Sequence, residues 1–281
     1  MSARTAPGRI APDSPAVDDP PVASRSDRPR RRFTALQGLA SVLIGLAIWQ
    51  LVVVIFQPSD LVIVAPTEVV GRLAGSLADG SLWPDLAISL QAFLVGYAIA
   101  FIVAIPLGLA IGSSRWAHEW SRLWISGLYA TPIIGLAPLF VILFGYGLQA
   151  KAAVVFTLAV FPMLINTIAG ARAVGQDFKE LAVVFGASRF ETFRTVLVPG
   201  STPFIATGLR LAVGRGLIGV VVADLFGASA GLGLNLQRSA GAFDTANIFA
   251  VTLLLAVLGV ALTALVEVVE RRAYARSGMS T

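Results

Sequence analysis

The chain has 281 residues, 56% of them hydrophobic and only 13% charged, with a mean hydropathy of +0.81. A soluble domain carries about 25% charged residues, so a water-soluble enzyme is excluded as the main body. There is no cysteine, and His118 is the only histidine, which excludes disulfides, thiolate metal sites and histidine-rich metal centres.

Residues 1–33 hold six prolines and seven arginines with few large apolar residues, the composition of a disordered tail. The apolar run Leu36–Phe56 exceeds the roughly 7–15 residues of a signal-peptide core and reads as a retained first span. Ala65-Pro66-Thr67-Glu68, followed by Val69, Val70, Leu73 and Leu77, predicts a short amphipathic helix capped by Thr67. It either lies along the outer membrane face or serves as a structural loop helix.

Five further spans follow: Leu86–Gly112, Leu123–Phe144, Ala152–Gly170, Phe204–Ala223 and Ile248–Val266. Gly108 and Gly112 allow close helix approach. Pro106, Pro132, Pro138 and Pro162 are expected to bend their spans toward protein or water. The membrane body is therefore 34–272, followed by a cytoplasmic tail, 273–281.

Orientation follows from the basic residues. With the N-terminus inside, sixteen Lys and Arg fall in the cytoplasm, and only Arg72, Lys151 and Arg238 fall outside. Both termini are expected in the cytoplasm, together with the polar stretch 177–199. The net charge of +5 is thus a topology signal, and no nucleic-acid partner is expected.

That stretch, DFKELAVVFGASRFETFRTVLVP, is densely punctuated. Asp177 and Glu180 frame one helix start, with Phe178, Leu181, Ala182 and Phe185 on one face. Gly186 is a left-handed stop, and Ser188 with Glu191 forms a capping box. Pro199-Gly200 is expected to end the second short helix, and Thr202-Pro203 to start the fifth span. Two rigid helices with a tight turn suit docking to a partner as well as they suit an ordinary inter-span loop. A DNA-reading helix pair is a third form, but short connectors would hold it against the bilayer.

Glu180-Leu181-Ala182, then Gly186 after three residues, then Val196, Val198 and Pro199 after nine more resemble the "EAA" signature of bacterial ATP-binding-cassette importer permeases. The departures are Leu181 for alanine and two valines for isoleucine and leucine. Further stretches, including Ile105-Pro106-Leu107-Gly108-Leu109 and Leu225-Phe226-Gly227-Ala228-Ser229-Ala230-Gly231, carry the likeness over about 64–272. It looks closest to the branch importing nitrate, sulfonates and taurine.

The resemblance implies an all-α, polytopic type I importer permease (MetI-like) fold of about six transmembrane helices. It also implies coupling to the ATPase through Glu180, Leu181, Ala182, Gly186, Ala187, Ser188, Arg189 and Pro199. The implied partners are cytoplasmic ATP-binding-cassette ATPase subunits, which use ATP and Mg, an extracytoplasmic solute-binding protein and a second copy of the chain in the bilayer. No cofactor and no metal is expected on the chain itself, and no catalysis by it.

Intramembrane polar residues are the remaining signal. A charge at mid-span costs about 2.5–3.5 kcal/mol on insertion scales. Arg215 either faces a pathway and favours an anionic solute, such as a sulfonate or nitrate, or pairs with another helix or subunit. Arg210, Asn166 and Asp224 are further pathway candidates, although Arg210 near the inner end has snorkelling as its alternative. Asp224 lies too far along the helix to pair with Arg215. No phosphate-binding loop surrounds Lys151 or Lys179, the only lysines, so energy comes from another subunit or a gradient. A gradient-driven secondary transporter would want paired membrane carboxylates, and Asp224 stands alone. Gly227-Ala228-Ser229-Ala230-Gly231 matches a hydrolase nucleophile elbow, but Ser229 needs a base and His118 falls on the opposite side.

Overall fold

The computed structural model describes residues 30–174, 181–182, 184–227 and 229–277. The chain divides after Ile48 into two units. The described part of the first is the start of α1 (Arg30–Phe56). Thus residues 30–33 are helical where a disordered tail was expected, while residues 1–29 lie outside the described residues. The second unit holds the rest of α1, α2 (Pro66–Ala78), α3 (Trp83–Ser113), α4 (Arg115–Ala130), α5 (Ile133–Phe144) and α6 (Leu148–Ala173). It continues with α7 (Arg189–Thr192), a π-helical turn (Phe193–Leu197), α8 (Val198–Gly227), α9 (Leu232–Gly241) and α10 (Thr245–Ser277). The fold is all-α and polytopic.

Among the described residues, four helices are long and apolar enough to cross a membrane: α3, α6, the continuous run Arg189–Phe226 and Thr245–Arg272. The pair α4–α5 makes a fifth, but it is bent by 88°. Leu123–Phe144 is therefore not one straight span. The break falls at Thr131-Pro132, where Pro132 is the residue before α5 and the Thr131 hydroxyl donates back to the Gly127 carbonyl at 3.0 Å. The other prolines expected to bend spans, Pro106, Pro138 and Pro162, sit inside their helices. The described apolar part of α1, Ala40–Phe56, is shorter than the other spans.

α6 is the central helix, packed between α3 and α8. The sequence makes this possible by a ridge of small residues. Every fourth residue of α3 from Ala92 to Gly112 (Ala92, Gly96, Ala100, Ala104, Gly108, Gly112) is alanine or glycine, and all are buried. Such i, i+4 ridges interdigitate and bring backbones close. A Cβ on Gly112 would lie 2.5 Å from the Ala171 Cβ, and one on Gly108 2.7 Å from the Thr167 Cβ. Glycine is needed at both for lack of space.

α2 packs against α10 through Val69, Leu73, Ala250 and Phe249, with an Arg72–Asp244 ion pair of 2.5 Å on its polar side. The amphipathic helix is as expected, but Thr67 is not its cap. Ala65 holds that position without a side-chain bond, Pro66 opens the helix, and the Thr67 hydroxyl donates to Gln50 Oε1 at 3.3 Å. Proline at the first helical position needs no donor, which frees Thr67 to tie α2 to the end of α1.

Candidate functional site

The turn at Gly186 is built as its residues dictate. Leu181 and Ala182 are helical. Gly186 has φ +81°, the left-handed conformation a Cβ disfavours. The Ala187 N–H donates to the Ala182 carbonyl at 2.9 Å, the closing bond of a glycine-stopped helix. The capping box is complete: the Ser188 N–H donates to Glu191 Oε2 at 2.7 Å, and the Glu191 N–H donates to Ser188 Oγ at 3.2 Å. Asp177, Phe178 and Glu180 lie outside the described residues.

The second helix does not end at Pro199-Gly200, and no new helix starts at Thr202-Pro203. From Arg189 the chain runs as one helix to Phe226, 38 residues. The π turn absorbs the conflict. The Val198 N–H reaches the Phe193 carbonyl, and a wider turn of this kind inserts one residue without breaking the helix. Thr195, Ser201 and Thr202 hydroxyls bond back to the Glu191, Leu197 and Val198 carbonyls at 2.6, 2.7 and 3.0 Å. Pro199 therefore sits within a rigid rod, and so does Pro203. The capped turn and Arg215 share that rod, about 39 Å apart along its axis at 1.5 Å per residue.

The pathway candidates separate. Arg215 is exposed on α8, on one face with Leu211, Gly214 and Ile218. Its side chain makes no hydrogen bond or ion pair among the described residues. Arg210 pairs with Glu270 of α10 at 2.6 Å, with side-chain exposures of 32% and 16%. Asn166 is half-buried and donates to the Pro162 carbonyl at 2.8 Å.

Asp224 is buried and held by residues of α3, α6 and α9. Its carboxylate faces Lys151 Nζ at 2.6 Å, with side-chain exposures of 0% and 4%. Ser89 Oγ donates to its other oxygen at 2.7 Å, and the Gly233 N–H does so at 3.1 Å. Lys151 also donates to the Ala230 carbonyl at 2.7 Å, so it is a buried helix residue, not a loop charge. Asp85 extends the network by accepting from the Gly231 N–H at 2.8 Å and from Asn235 Nδ2 at 3.0 Å. Gly231 has φ +143°, and a Cβ there would collide with the Asp224 carboxylate. Gly231 and Gly233 thus wrap the carboxylate. Ser229 lies in this helix-to-helix connection, not on the strand-to-helix turn that a nucleophile elbow needs.

Residues 102–274 match the family described as "Binding-protein-dependent transport system inner membrane component". The chain belongs to this family. Relatives run along nearly the whole permease. It is 31% identical over 232 residues to the formylaminopyrimidine transport permease protein ThiX of Halalkalibacterium halodurans, covering 82% of this chain and 92% of that one. It is 32% identical over 242 residues to the riboflavin transport system permease protein RibX of Chloroflexus aurantiacus, covering 86% and 90%. Against the nitrate import permease protein NrtB of Leptolyngbya laminosa, identity is 29% over 198 residues, 70% and 71% of the two chains. This permease is thus a multi-pass transport subunit of the ATP-binding-cassette importer class.

Sequence reasoning missed three parts of the site. The Lys151–Asp224 pair and its Asp85 and Ser89 partners join segments far apart in the chain, and no local pattern announces them. The π turn is also silent, because Thr202-Pro203 reads equally as a helix start. The α3 ridge carried a signal, alanine or glycine at every fourth position, of which only the Gly108–Gly112 end was read.

Proposed function

We propose that this permease passes a small solute into the cytoplasm as one of two identical membrane subunits, driven by ATPase subunits docked at the Gly186 turn. The observation that carries the reading is the continuity of the helix from Arg189 to Phe226. A push on the turn at Ala182, Gly186, Ala187 and Ser188 moves the same rod that bears Arg215. Glu180 and Leu181 complete the docking segment by resemblance, with Arg189 opening the rod and Pro199 inside it. On this reading ATP and Mg are used by the partner subunits, an extracytoplasmic solute-binding protein delivers the cargo, the chain catalyses nothing, and both termini are cytoplasmic.

Arg215 supports the second copy and the pathway together. A charged side chain facing lipid at mid-span costs about 2.5–3.5 kcal/mol or more. The exposed face Leu211, Gly214, Arg215 and Ile218 therefore needs protein or water against it. A second copy placing the same face opposite encloses an aqueous path lined by two guanidinium groups, which favours an anion such as a sulfonate or nitrate. The relatives' names span a pyrimidine, a vitamin and nitrate, so the anionic preference rests on Arg215.

The test is gentle purification of the tagged chain beside a Gly186→Asp variant, with mass spectrometry of co-purifying subunits. Recovery of an ATP-binding-cassette ATPase with the wild type and its loss from the variant is expected. A chain arriving alone in both cases would favour a gradient-driven carrier.

A further inference from the structure

α4 has two unlike faces. Trp116, Trp120 and Trp124, four residues apart, are exposed on one, the first two with ring centroids 5.6 Å apart. Tryptophans arranged in this way mark the level of a membrane–water interface. The opposite face meets α6 across a cleft of about 640 Å³, within the roughly 300–1,000 Å³ of small-molecule sites.

The cleft is graded from polar to apolar. His118 stands in the first turn of α4, Arg122 one turn further at its middle and Arg172 in the last turn of α6; both arginines are close to His118 and all three line the cleft. His118 Nδ1 is shielded from solvent and has no hydrogen-bond partner among the described residues. Further along the same two helices the walls become Ile125, Ile165 and Ile168, about 5–10 Å from the nearest arginine on the same helix at 1.5 Å per residue. Three nitrogen-bearing side chains at the mouth suit an oxyanion. Walls of isoleucine suit a chain of methylenes and would be wasted on an inorganic ion.

We propose that the cleft between α4 and α6 binds an anionic phospholipid. Its phosphate lies among His118, Arg122 and Arg172, and one acyl chain lies along Ile125, Ile165 and Ile168. On the proposed orientation this is a lipid of the cytoplasmic leaflet, where anionic headgroups meet basic pockets between spans. The site is separate from Arg215, which does not line the cleft. Arg172 stands in the last turn of α6, so a seated lipid braces the end of that helix.

The purified permease is placed in phosphatidylcholine nanodiscs with or without phosphatidylglycerol, and retained lipid is counted by native mass spectrometry. The wild type should prefer phosphatidylglycerol. Arg122→Gln with Arg172→Gln should lose on the order of thirtyfold of that preference, from two cations near a headgroup. Arg271→Gln, a change at an exposed arginine of α10, should keep it. Ile165→Trp, which leaves both cleft arginines in place, should also weaken retention by filling the wall. An equal preference in wild type and the double variant overturns the proposal. The single histidine supplies one imidazole resonance, expected to shift with phosphatidylglycerol. An equal shift with inorganic phosphate or methanesulfonate in pure phosphatidylcholine would assign the cleft to a soluble anion and overturn the lipid. Recovery of the ATPase subunit is scored on the same samples, so a failed lipid result is separable from a failed importer reading.

Discussion

Replacing Lys151 with methionine keeps much of the side chain's length but removes its charge. Asp224 is then left as a carboxylate with no exposed side-chain surface, held only by Ser89 Oγ and the Gly233 N–H. Breaking a buried pair from one side costs about 3–5 kcal/mol, and the Ala230 carbonyl loses its donor as well. At about 2–4 °C per kcal/mol for a chain of this size, the melting midpoint in detergent should fall on the order of 10 °C. Adding Asp224→Asn removes the stranded charge, while the amide oxygen still accepts from Ser89 and Gly233. The double variant should therefore regain more than half of the loss, a coupling that a double-mutant cycle reads directly. Midpoints followed by tryptophan fluorescence and size-exclusion profile suffice. A single variant within about 2 °C of wild type, or a double variant as unstable as the two singles summed, would refute the buried-anchor reading.

Gly231→Ala should destabilise the same region without touching a charge, because its Cβ meets the Asp224 carboxylate and its φ of +143° disfavours any side chain. Thermal midpoint again reads it, and Gly75→Ala, with open space around it, is the control that should change little. Arg215→Gln should leave the melting midpoint nearly unchanged, since the side chain pairs with nothing among the described residues. It should lower uptake of an anionic cargo at least several-fold in proteoliposomes, and unchanged uptake would remove Arg215 from the pathway. Arg210→Gln should do the reverse in part, losing stability as Glu270 is left unpaired.

Local chemistry was legible where it is local. The left-handed Gly186 and the Ser188–Glu191 box are set by residues three or four apart, and the sequence states them in full. Span positions were legible because apolar runs of about 20 residues have few alternatives. Proline was read too strictly. Pro199 and Pro203 look like a stop and a start, yet a π turn and back-bonding hydroxyls let one helix pass through both. Charge was read too locally. Lys151 follows Gly145-Tyr146-Gly147 and resembles a loop residue until Asp224, 73 positions later, arrives beside it. Arg210 and Arg215 were both pathway candidates in sequence, and among the described residues Glu270 of α10 reaches only the first.

The Gly186 turn is the proposed contact with the ATPase. The chain has no cysteine, so Ala187→Cys gives a unique thiol beside the turn. Membranes from cells expressing the whole transporter are treated with a short thiol-to-amine crosslinker, with Ala242→Cys at the exposed end of α9 as control. An adduct of permease with the ATPase subunit is expected from Ala187→Cys alone. An adduct of equal yield from Ala242→Cys, or none from Ala187→Cys while the assembled ATPase still co-purifies, would contradict it.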